Sequence, residues 1–311
     1  MKIGFVMEPI PAKNLKKDST LLLMFEAQNN GHDIYFIDSK NLFMKGSQPY
    51  CKYQKVEVSL NDTNFNVLSS SENTMNFFEV IMMRQDPPVD YSFIVNTMIL
   101  EKAADSGVNV INNPSNLRNL NEKIFALNFP QFCPPTLITS DFEIFNNFLR
   151  ENEHIVVKPL NSMGGDSIFQ LKKDDEHLSE VYAKISKEGE VKFIAQKFLP
   201  EISIGDKRIL IIGGRVLPLC LARIPPKGEF RGNLAAGGSG IVKQLSERDL
   251  LIANSVAEIC IKRGLLFVGL DIIGDFLTEI NVTSPTCARE IDKELDFSIG
   301  DLFMECISKR L

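Results

Sequence analysis

The sequence predicts an α/β fold that begins with a parallel, Rossmann-like sheet. Short apolar runs alternate with stretches of helical periodicity in its first part, which is the pattern of βαβ units. Ile3 to Met7 has the character of a buried strand, Ser19 to Asn29 that of a capped helix, and Asp33 to Ile37 that of a second strand. Because strands connected through a crossover helix run parallel, these elements predict the start of a parallel sheet.

The rest of the N-terminal domain continues this alternation. Val80 to Met83 and Val108 to Ile111 are further strand-like runs. The span from 45 to 75 is polar, rich in Asn and Ser and weakly periodic, so it is predicted to be an irregular surface segment. The character of the sequence changes at 119–121, which predicts a boundary between a first domain, 1–120, and the remainder of the chain.

Composition and charge exclude several classes of protein. With 311 residues, 44% of them apolar and 24% charged, the chain is typical of a globular protein with two or three sub-domains. Its net charge of -6 argues against general binding to nucleic acids or membrane surfaces, so an anionic ligand would need a local basic cleft. A strand begins directly after Met1, which leaves no room for a signal peptide, and no apolar run reaches the roughly 20 residues of a membrane span.

The cysteines and histidines form no metal-binding or disulfide pattern. The six cysteines are scattered without a Cys-x-x-Cys pair, and there are only three histidines. Zinc sites need clustered Cys and His ligands, and disulfide frameworks belong to small secreted domains. We therefore expect a reduced, cytoplasmic protein with no nucleic-acid or membrane partner.

The second predicted domain, 121–200, alternates short helices and strands. Asn121 to Leu127 and Asp141 to Arg150 are predicted helices, while His154 to Lys158 and Ala195 to Pro200 are strand-like. Prolines between these segments favour breaks in the chain rather than one long helix.

A glycine loop in this domain is a candidate anion site. Lys158 ends a strand, and Gly164 and Gly165 follow before a second apolar run. Glycines let backbone N–H groups approach an anion closely, and the lysine adds a positive charge at the base of the loop. It is not a Walker A motif, because no Gly-Lys-Ser/Thr opens a helix. A tight hairpin turn is the alternative interpretation.

The third predicted domain, 201–311, contains a long glycine-rich loop, 225–240, which begins with two prolines. A loop of this length is usually a functional lid or disordered. Arg231 and Asn233 would neutralise phosphate and donate hydrogen bonds if the loop closed over a ligand. Arg208, on a strand-like run before the loop, could face either solvent or a ligand cleft.

A strand-turn-strand unit after the predicted helix Ser246 to Gly264 holds a candidate magnesium site. Glu279 and Asn281 are two residues apart, so both project to the same face of an extended strand. Asp271 joins them only if the turn holds an odd number of residues, most simply Gly274 to Phe276. Two carboxylates and an amide suit a hard cation that also binds nucleotide phosphates. An ordinary β-hairpin with a polar face would show the same three residues, and both interpretations stay open here.

Several motifs along the chain resemble one known family. They are Arg84-x-Asp-Pro-Pro, Asn121-Glu-Lys, Lys158-Pro-Leu-x-x-Met-Gly-Gly, Gly205-Asp-Lys-Arg, Leu221-Ala-Arg-Ile-Pro, Arg231-Gly-Asn-Leu-Ala-Ala-Gly-Gly, Leu270-Asp-Ile-Ile-Gly-Asp and Leu277-Thr-Glu-Ile-Asn-Val-Thr-Ser-Pro-Thr. In this order and over nearly the whole chain, they resemble the prokaryotic glutathione synthetases, a family of ATP-grasp ligases. Two departures stand out: the span 45–75 matches poorly, and Ser239 stands where a second loop arginine is expected.

The resemblance implies a two-lobed ATP-grasp fold after the N-terminal domain, and an ATP-dependent ligase. The expected reaction joins γ-glutamylcysteine and glycine into glutathione, releases ADP and phosphate, and passes through an acyl phosphate. ATP and Mg²⁺, which Mn²⁺ could replace, are the expected cofactors, and a homotetramer is the expected assembly. Two alternatives remain, namely another ATP-grasp carboxylate–amine ligase and a nucleotide-binding module without catalysis.

The resemblance also implies which residues bind the nucleotide and the metal. The α- and β-phosphates would be held by Lys123 and Lys158. The adenine would bind through the backbone of Gln196, Lys197, Phe198 and Leu199. Further cofactor contacts would come from Gly164, Gly165 and Asn233. The metal ligands would be Asp271, Glu279 and Asn281.

A second set of residues would act on the reacting groups. The transferring phosphoryl group and the tetrahedral intermediate would be stabilised by Arg208 and Arg231. Substrate carboxylates would pair with Arg84 and Arg223. The γ-glutamyl or glycine end would be held by Thr283 and Ser284. Closure of the loop 225–240 would keep water away from the acyl phosphate.

Overall fold

Three β-sheets organise the chain, which the computed structural model describes at residues 1–9, 18–60, 66–161, 167–229, 231–232 and 237–310. A seven-stranded sheet belongs to the N-terminal part, a four-stranded sheet to the middle and a five-stranded sheet to the C-terminal part. The predicted alternation of helices and strands is therefore present, and the domain limits given above remain a prediction.

The N-terminal sheet has the parallel centre that the βαβ pattern predicts. Its strands are β1 (Lys2–Met7), β2 (Asp33–Asp38), β3 (Leu42–Lys45), β4 (Gln48–Glu57), β5 (Asn66–Thr74), β6 (Val80–Met83) and β7 (Asn109–Ile111), and its helices are α1 (Ser19–Asn29), α2 (Tyr91–Asp105) and α3 (Pro114–Asn119). β1 pairs in parallel with β2 and β6, and β6 pairs in parallel with β7. α1 begins after Asp18, whose carboxylate accepts from the N–H groups of Thr20 and Leu21.

Most of the described residues between 45 and 75 lie in the strands β4 and β5, so the prediction of an irregular segment there is wrong. β4 pairs antiparallel with β2, β3 and β5 and extends the parallel strands into the seven-stranded sheet. β4 buries Cys51, Tyr53 and Val56, whereas β5 is exposed along nearly its whole length. A strand held by its backbone ladder alone carries no apolar alternation, which is why the sequence of β5 gives no strand signal.

The middle of the chain forms an antiparallel sheet in the order β10-β9-β11-β8, here called the middle lobe. Its elements are β8 (Thr136–Thr139), α5 (Phe142–Asn152), β9 (His154–Pro159), β10 (Phe169–Lys172), α6 (Leu178–Ser186) and β11 (Phe193–Lys197). Phe145 of α5 meets Phe193 of β11 edge to face, with ring centroids 5.0 Å apart. These side chains belong to a core separate from those of the other two sheets.

The C-terminal part forms an antiparallel sheet in the order β14-β13-β12-β15-β16. Its elements are β12 (Asp206–Ile212), β13 (Arg215–Ile224), β14 (Ser239–Gln244), α7 (Glu247–Lys262), β15 (Phe267–Ile273), β16 (Phe276–Asn281), α8 (Ala288–Asp292) and α9 (Ile299–Ser308). α7 begins with a reciprocal cap between Ser246 and Asp249, as the predicted helix start requires.

The β15–β16 hairpin corrects one detail of the metal-site prediction. Ile273 pairs with Phe276, so the turn consists of Gly274 and Asp275, and the predicted three-residue turn is wrong. The odd residue lies instead in β16 itself, where a bulge shifts the register between Asp271 and the following pair. Because of this extra residue, Asp271 stands directly opposite Glu279.

The N-terminal and C-terminal sheets are joined through shared cores and one buried amide. Nδ2 of Asn112, which follows β7, donates to the carbonyls of Phe267 at 2.9 Å and Val282 at 2.7 Å. Its Oδ1 accepts from the N–H groups of Leu266 at 2.7 Å and Phe267 at 3.0 Å. The helix α4 (Glu122–Ala126) packs against β16, and α1 packs against α9.

The six cysteines are free thiols in this structure. None of the helices in the described residues combines the length and apolar content needed to cross a membrane.

Candidate active site

A cavity of about 300 Å³ lies between the middle lobe and the five-stranded sheet. This volume is at the lower end of the range of about 300–1,000 Å³ that is usual for small-molecule sites. Most of the residues selected from the sequence line it, namely Lys123, Lys158, Gln196, Lys197, Phe198, Leu199, Arg208, Arg223, Arg231, Asp271, Glu279, Asn281 and Ser284.

Two arginines and two aspartates form a buried ion cluster at this cavity. Arg208 binds Asp271 with both ends of its guanidinium, at 2.6 Å from Nε to Oδ1 and 3.0 Å from Nη2 to Oδ2. Nη2 of Arg223 lies 2.9 Å from Oδ1 of Asp271 and also donates to Oδ2 of Asp206. The register places each acid opposite an arginine, because Arg208 pairs with Asp271 across one ladder and Asp206 with Arg223 across the next.

The cluster shifts the pKa values of its members in different directions. Burial opposes ionisation of Asp271, but Arg208 and Arg223 outweigh it and hold the pKa of this carboxyl well below its usual range. At Asp206 burial prevails over the attraction of Arg223 and raises the pKa to about 6. Oδ1 of Asp206 and Nε of Arg223 have no hydrogen-bond partner in the described part of the chain.

Oxygen-bearing side chains occupy one side of the cavity, as the metal-site prediction requires. Asp271 and Glu279 stand opposite each other, and Asn281 lies two residues beyond Glu279 on β16. Nζ of Lys123 lies 3.2 Å from Oε1 of Glu279. The described residues contain no group of three His, Cys, Asp or Glu side chains able to hold a metal ion. A divalent cation would therefore need the amide oxygen of Asn281 and oxygens of a bound ligand to complete its coordination.

Glu122, in the first turn of α4, is a cavity residue that the sequence analysis missed. Its Oε1 accepts from the hydroxyl of Thr283 at 2.7 Å and from the N–H groups of Val282 and Thr283 at 3.3 Å each. Burial, with a smaller contribution from Glu279, raises the pKa of Glu122 to about 7. Thr283 thus lies behind the cavity wall and supports Glu122, and its predicted contact with substrate stays a prediction.

The amide of Asn281 connects Glu122 to the ion cluster. Oriented to satisfy both neighbours, its Nδ2 donates to Oε1 of Glu122 at 2.9 Å and its Oδ1 accepts from Nη2 of Arg208 at 3.3 Å. A carboxylate only accepts and a guanidinium only donates, so this orientation is the one that the surroundings favour. It turns the amide oxygen toward the cluster that contains Asp271.

Apolar side chains form a slot on the middle-lobe side of the cavity. The N–H groups of Lys197 and Phe198 already donate to carbonyls of neighbouring segments at 2.9 Å each. The N–H of Leu199 donates to no backbone carbonyl in the described residues. The backbone donor left for a bound base is therefore Leu199. The slot is lined by Pro134, Val156, Ile168, Phe198, Leu199, Ile202 and Ile273.

The described part of the loop 225–240 lies against the cavity. Arg231 and Gly232 line it, and Nη2 of Arg231 lies 2.7 Å from Oε2 of Glu229. A Cβ on residue 232 would overlap the carbonyl oxygen of Arg223, so only glycine lets the loop approach β13 this closely. The predicted residues Gly164, Gly165 and Asn233 lie outside the described residues.

Arg84 is a predicted substrate residue that the structure does not bring to the cavity wall. It is 1% exposed, and its Nε and Nη2 donate to Oγ1 of Thr20 at 3.1 Å and the carbonyl of Pro285 at 2.8 Å. The guanidinium also lies over the ring of Phe267, 5.1 Å from its centroid. Burial lowers the pKa of Arg84 to about 10. In this structure Arg84 joins α1 to the segment after β16.

Comparison with known families identifies the class of protein. Residues 1–118 match the prokaryotic glutathione synthetase N-terminal domain, and residues 122–296 match the prokaryotic glutathione synthetase ATP-grasp domain. The chain belongs to the prokaryotic glutathione synthetase family. The glutathione synthetases of Pseudomonas aeruginosa and of Vibrio vulnificus strain YJ016 are each 45% identical to it over 313 residues, which covers 100% of this chain and 98% of those proteins.

Solved structures of other ligases share the fold. D-cycloserine synthetase DcsG superposes with a TM-score of 0.66 at 13% identity and covers 99% of both chains. D-alanyl-alanine synthetase A from Vibrio cholerae superposes with a TM-score of 0.61 at 12% identity, over 99% of this chain and 98% of that one. At such low identity the likeness concerns the fold alone. The ATP-grasp architecture expected from the sequence is confirmed by the family match over residues 122–296.

Some cavity residues that the sequence analysis missed could have been identified from the sequence, and others could not. Asp206 precedes Arg208 by two residues on β12, so both side chains share a face, and that spacing could have identified it. Glu122 stands beside the predicted Lys123. Thr286 and Cys287 follow the hairpin in irregular backbone, and no spacing rule marks them.

Proposed function

We propose that this chain synthesises glutathione from γ-glutamylcysteine, glycine and ATP, with release of ADP and phosphate. The observation that carries the proposal is the cavity, which Lys123, Lys158 and three arginines line together with Asp271 and Glu279, in a chain that matches both domains of the family. Such a set suits ATP phosphates accompanied by a divalent cation. A peptide-bond-forming ligase uses all of these groups, whereas a nucleotide-binding module without catalysis would not need them.

The reaction would take place in two displacements. The terminal carboxylate of γ-glutamylcysteine attacks the γ-phosphorus of ATP, the bond to the bridging β-phosphate oxygen breaks, and ADP leaves. The amine of glycine then attacks the acyl carbon and loses a proton, while phosphate leaves with one of the original carboxylate oxygens. Catalysis of this kind depends mostly on positioning and on neutralisation of charge.

The cavity residues divide between these tasks. Lys123 and Lys158 would bind the α- and β-phosphates, because both line the cavity and Nζ of Lys123 lies 3.2 Å from Oε1 of Glu279. Arg208 and Arg231 would stabilise the transferring phosphoryl group. Arg223 would pair with a substrate carboxylate, since its Nε has no partner among the described residues.

Asp271, Glu279 and Asn281 would hold the divalent cation, and Mg²⁺, replaceable by Mn²⁺, is the ion that we propose. When bound, it would offset negative charge on the terminal phosphates. The acids are positioned without a metal ion, because Arg208 binds Asp271 and Lys123 contacts Glu279 in this structure. When nucleotide binds, the positive charges of Arg208 and Lys123 would be shared between these acids and the phosphates.

Two further parts of the proposal rest on the resemblance. We propose a homotetramer, and we propose the cytoplasm as the compartment, since free thiols at all six cysteines suit a reducing environment. Sedimentation of the purified protein would measure the first of these.

An isotope experiment tests the reaction. With 18O in the terminal carboxylate of γ-glutamylcysteine, one labelled oxygen should appear in the released phosphate, and ADP should be the nucleotide product. An adenylating enzyme would instead place the label in AMP and release pyrophosphate. A panel of other acyl and amine substrates, assayed for ADP release, measures how strictly the site selects this pair.

Three results would overturn the proposal. Labelled AMP would refute the acyl phosphate, even if glutathione were the product. Unlabelled phosphate alongside normal glutathione formation would do the same. Strong ADP release with a different acyl substrate, and none with γ-glutamylcysteine, would point to another carboxylate–amine ligase.

A further inference from the structure

A relay of hydrogen bonds fixes the side-chain amide of Gln196 at the apolar slot. Thr136, on β8, donates its hydroxyl proton to the carbonyl of Pro134 at 2.8 Å. A hydroxyl has a single proton, so toward Gln196 the oxygen of Thr136 can only accept. Nε2 of Gln196 lies 3.2 Å from this oxygen and is the donor.

The relay leaves the amide oxygen of Gln196 for a ligand. Gln196 and Pro134 both line the cavity, and Gln196 is 3% exposed. No residue in the described ranges donates to Oε1 of Gln196. Because Gln196 is nearly buried and lines the cavity, a bound group that brings an N–H to this oxygen would gain a hydrogen bond there.

We propose that Thr136 is a positioning residue that makes the site select adenine over 6-oxopurines, acting through Gln196. The inference rests on the proposed ATP-dependent function and adds the residue that sets its choice of base. Oε1 of Gln196 accepts from the 6-amino group of adenine, and the N–H of Leu199 donates to ring atom N1. Hypoxanthine and guanine present the reverse pattern, an acceptor at position 6 and a donor at N1.

Removal of the hydroxyl of Thr136 would release this constraint. Without an acceptor at residue 136, no group fixes which end of the Gln196 side-chain amide, Nε2 or Oε1, points toward residue 136. The amide can then rotate by half a turn and present Nε2 to the oxygen of a 6-oxopurine. Thr136 would thus affect the choice of base without touching the nucleotide.

The test compares ATP with ITP in the full-length protein and in two variants. In Thr136→Val, the ratio of kcat/KM for ATP to that for ITP should fall about tenfold, mainly through KM, because the base is remote from the reacting phosphates. Thr136→Ser keeps the hydroxyl and should keep the wild-type ratio. Calorimetric titration with ADP and IDP should show the same change in affinity without turnover.

Thr139→Val provides a matched control, because the same substitution is made on the same strand. Oγ1 of Thr139 accepts from the N–H of Asp141 and does not line the cavity, so the base preference should not change. If Thr136→Val does not fold, Thr136→Ala replaces it.

Two outcomes would overturn the inference. One is a wild-type ratio in a folded Thr136→Val or Thr136→Ala variant, and the other is a Thr136→Ser ratio as low as that of Thr136→Val. Failure of the wild-type protein to release ADP with γ-glutamylcysteine and glycine would refute the proposed function instead. Titration with ADP and IDP would still decide the role of Thr136 in that case.

Discussion

At the scale of residues, the acidic and basic side chains of the site form ion pairs with one another. Asp271 lies between Arg208 and Arg223, and Glu279 lies beside Lys123. When one member of a buried pair is removed, its partner keeps a charge that neither water nor protein neutralises. Substitutions of the buried cluster should therefore affect both stability and chemistry, whereas the half-buried Glu279 offers a way to separate the two.

Replacement of Glu279 by Gln should lower turnover by orders of magnitude and leave the fold intact. The substitution keeps the shape and leaves an amide oxygen for the buried ammonium of Lys123 to contact, but it removes a charged oxygen ligand, so the loss of turnover should far exceed any loss of stability. Steady-state kinetics at limiting Mg²⁺ and thermal unfolding by circular dichroism measure both effects. Asp275→Asn, in the adjacent exposed turn, is the control. Near-normal activity of Glu279→Gln would remove Glu279 from the metal site.

Glu122 should make the protein without nucleotide less stable as the pH rises. Its pKa is raised from 4.5 to about 7 in the folded state, so the folded protein binds a proton that the unfolded chain releases earlier. The stabilisation is complete below about pH 4.5 and is lost as the pH rises through about 7. Urea unfolding between pH 5 and pH 8 should show a shallower decline in Glu122→Gln than in the wild type. The exposed Glu151→Gln should follow the wild type, and equal slopes for all three proteins would contradict the assignment.

At the scale of elements, the hairpin and the strand β5 show what sequence patterns can and cannot predict. The spacing of Glu279 and Asn281 predicted that they share a face, and Asp271 could join them only with one extra residue between Asp271 and Glu279, which the structure contains. No sequence pattern shows whether that residue belongs to the turn or to a bulge, because either position gives the same number of residues between the two acids. Glu122 could not be connected to Asn281 in advance, since their contact joins elements far apart in the chain.

The loop 225–240 should be protected from proteolysis only when the site is filled. Trypsin should cut near Lys227 or Arg231 in the free protein, because Lys227 is exposed, and cutting should slow when ATP and γ-glutamylcysteine are both bound. Peptide mapping by mass spectrometry measures the two rates. Lys187, exposed in the turn after α6, is an internal reference whose cleavage should not respond to ligands. Equal rates at Lys227 with and without ligands would mean that the loop is a passive connection.

On the scale of the whole molecule, the first and last parts of the chain share their cores while the middle lobe keeps its own. Ile3 and Leu22 belong to the same apolar cluster as Ile299 and Phe303. The sequence predicted most of the strands in both parts, because each has a clear apolar run. It did not predict their association, since an apolar face is equally suited to any partner of matching shape.

Asn112→Ala should weaken the connection between the two sheets and lower the free energy of unfolding by about 3 kcal/mol or more. The substitution leaves the carbonyls of Phe267 and Val282 and the N–H groups of Leu266 and Phe267 without their buried partner. Urea unfolding followed by circular dichroism is suitable, because the chain has no tryptophan. Asn119→Ala is the matched control, since Asn119 is exposed. A loss no larger than that of the control would show that the amide is dispensable.

The packing of α9 against α1 also bears on how the protein is made. A ribosome delivers β1 and α1 long before α9, yet Leu22 and Phe303 belong to one apolar cluster. The part of the nascent chain that contains α1 therefore keeps an uncovered apolar face until α9 has been synthesised. The middle lobe has no such delay, because its core residues lie within a short stretch of sequence. Assembly should thus proceed from the centre of the chain outward, and truncated transcripts should yield chains whose beginning depends on chaperones.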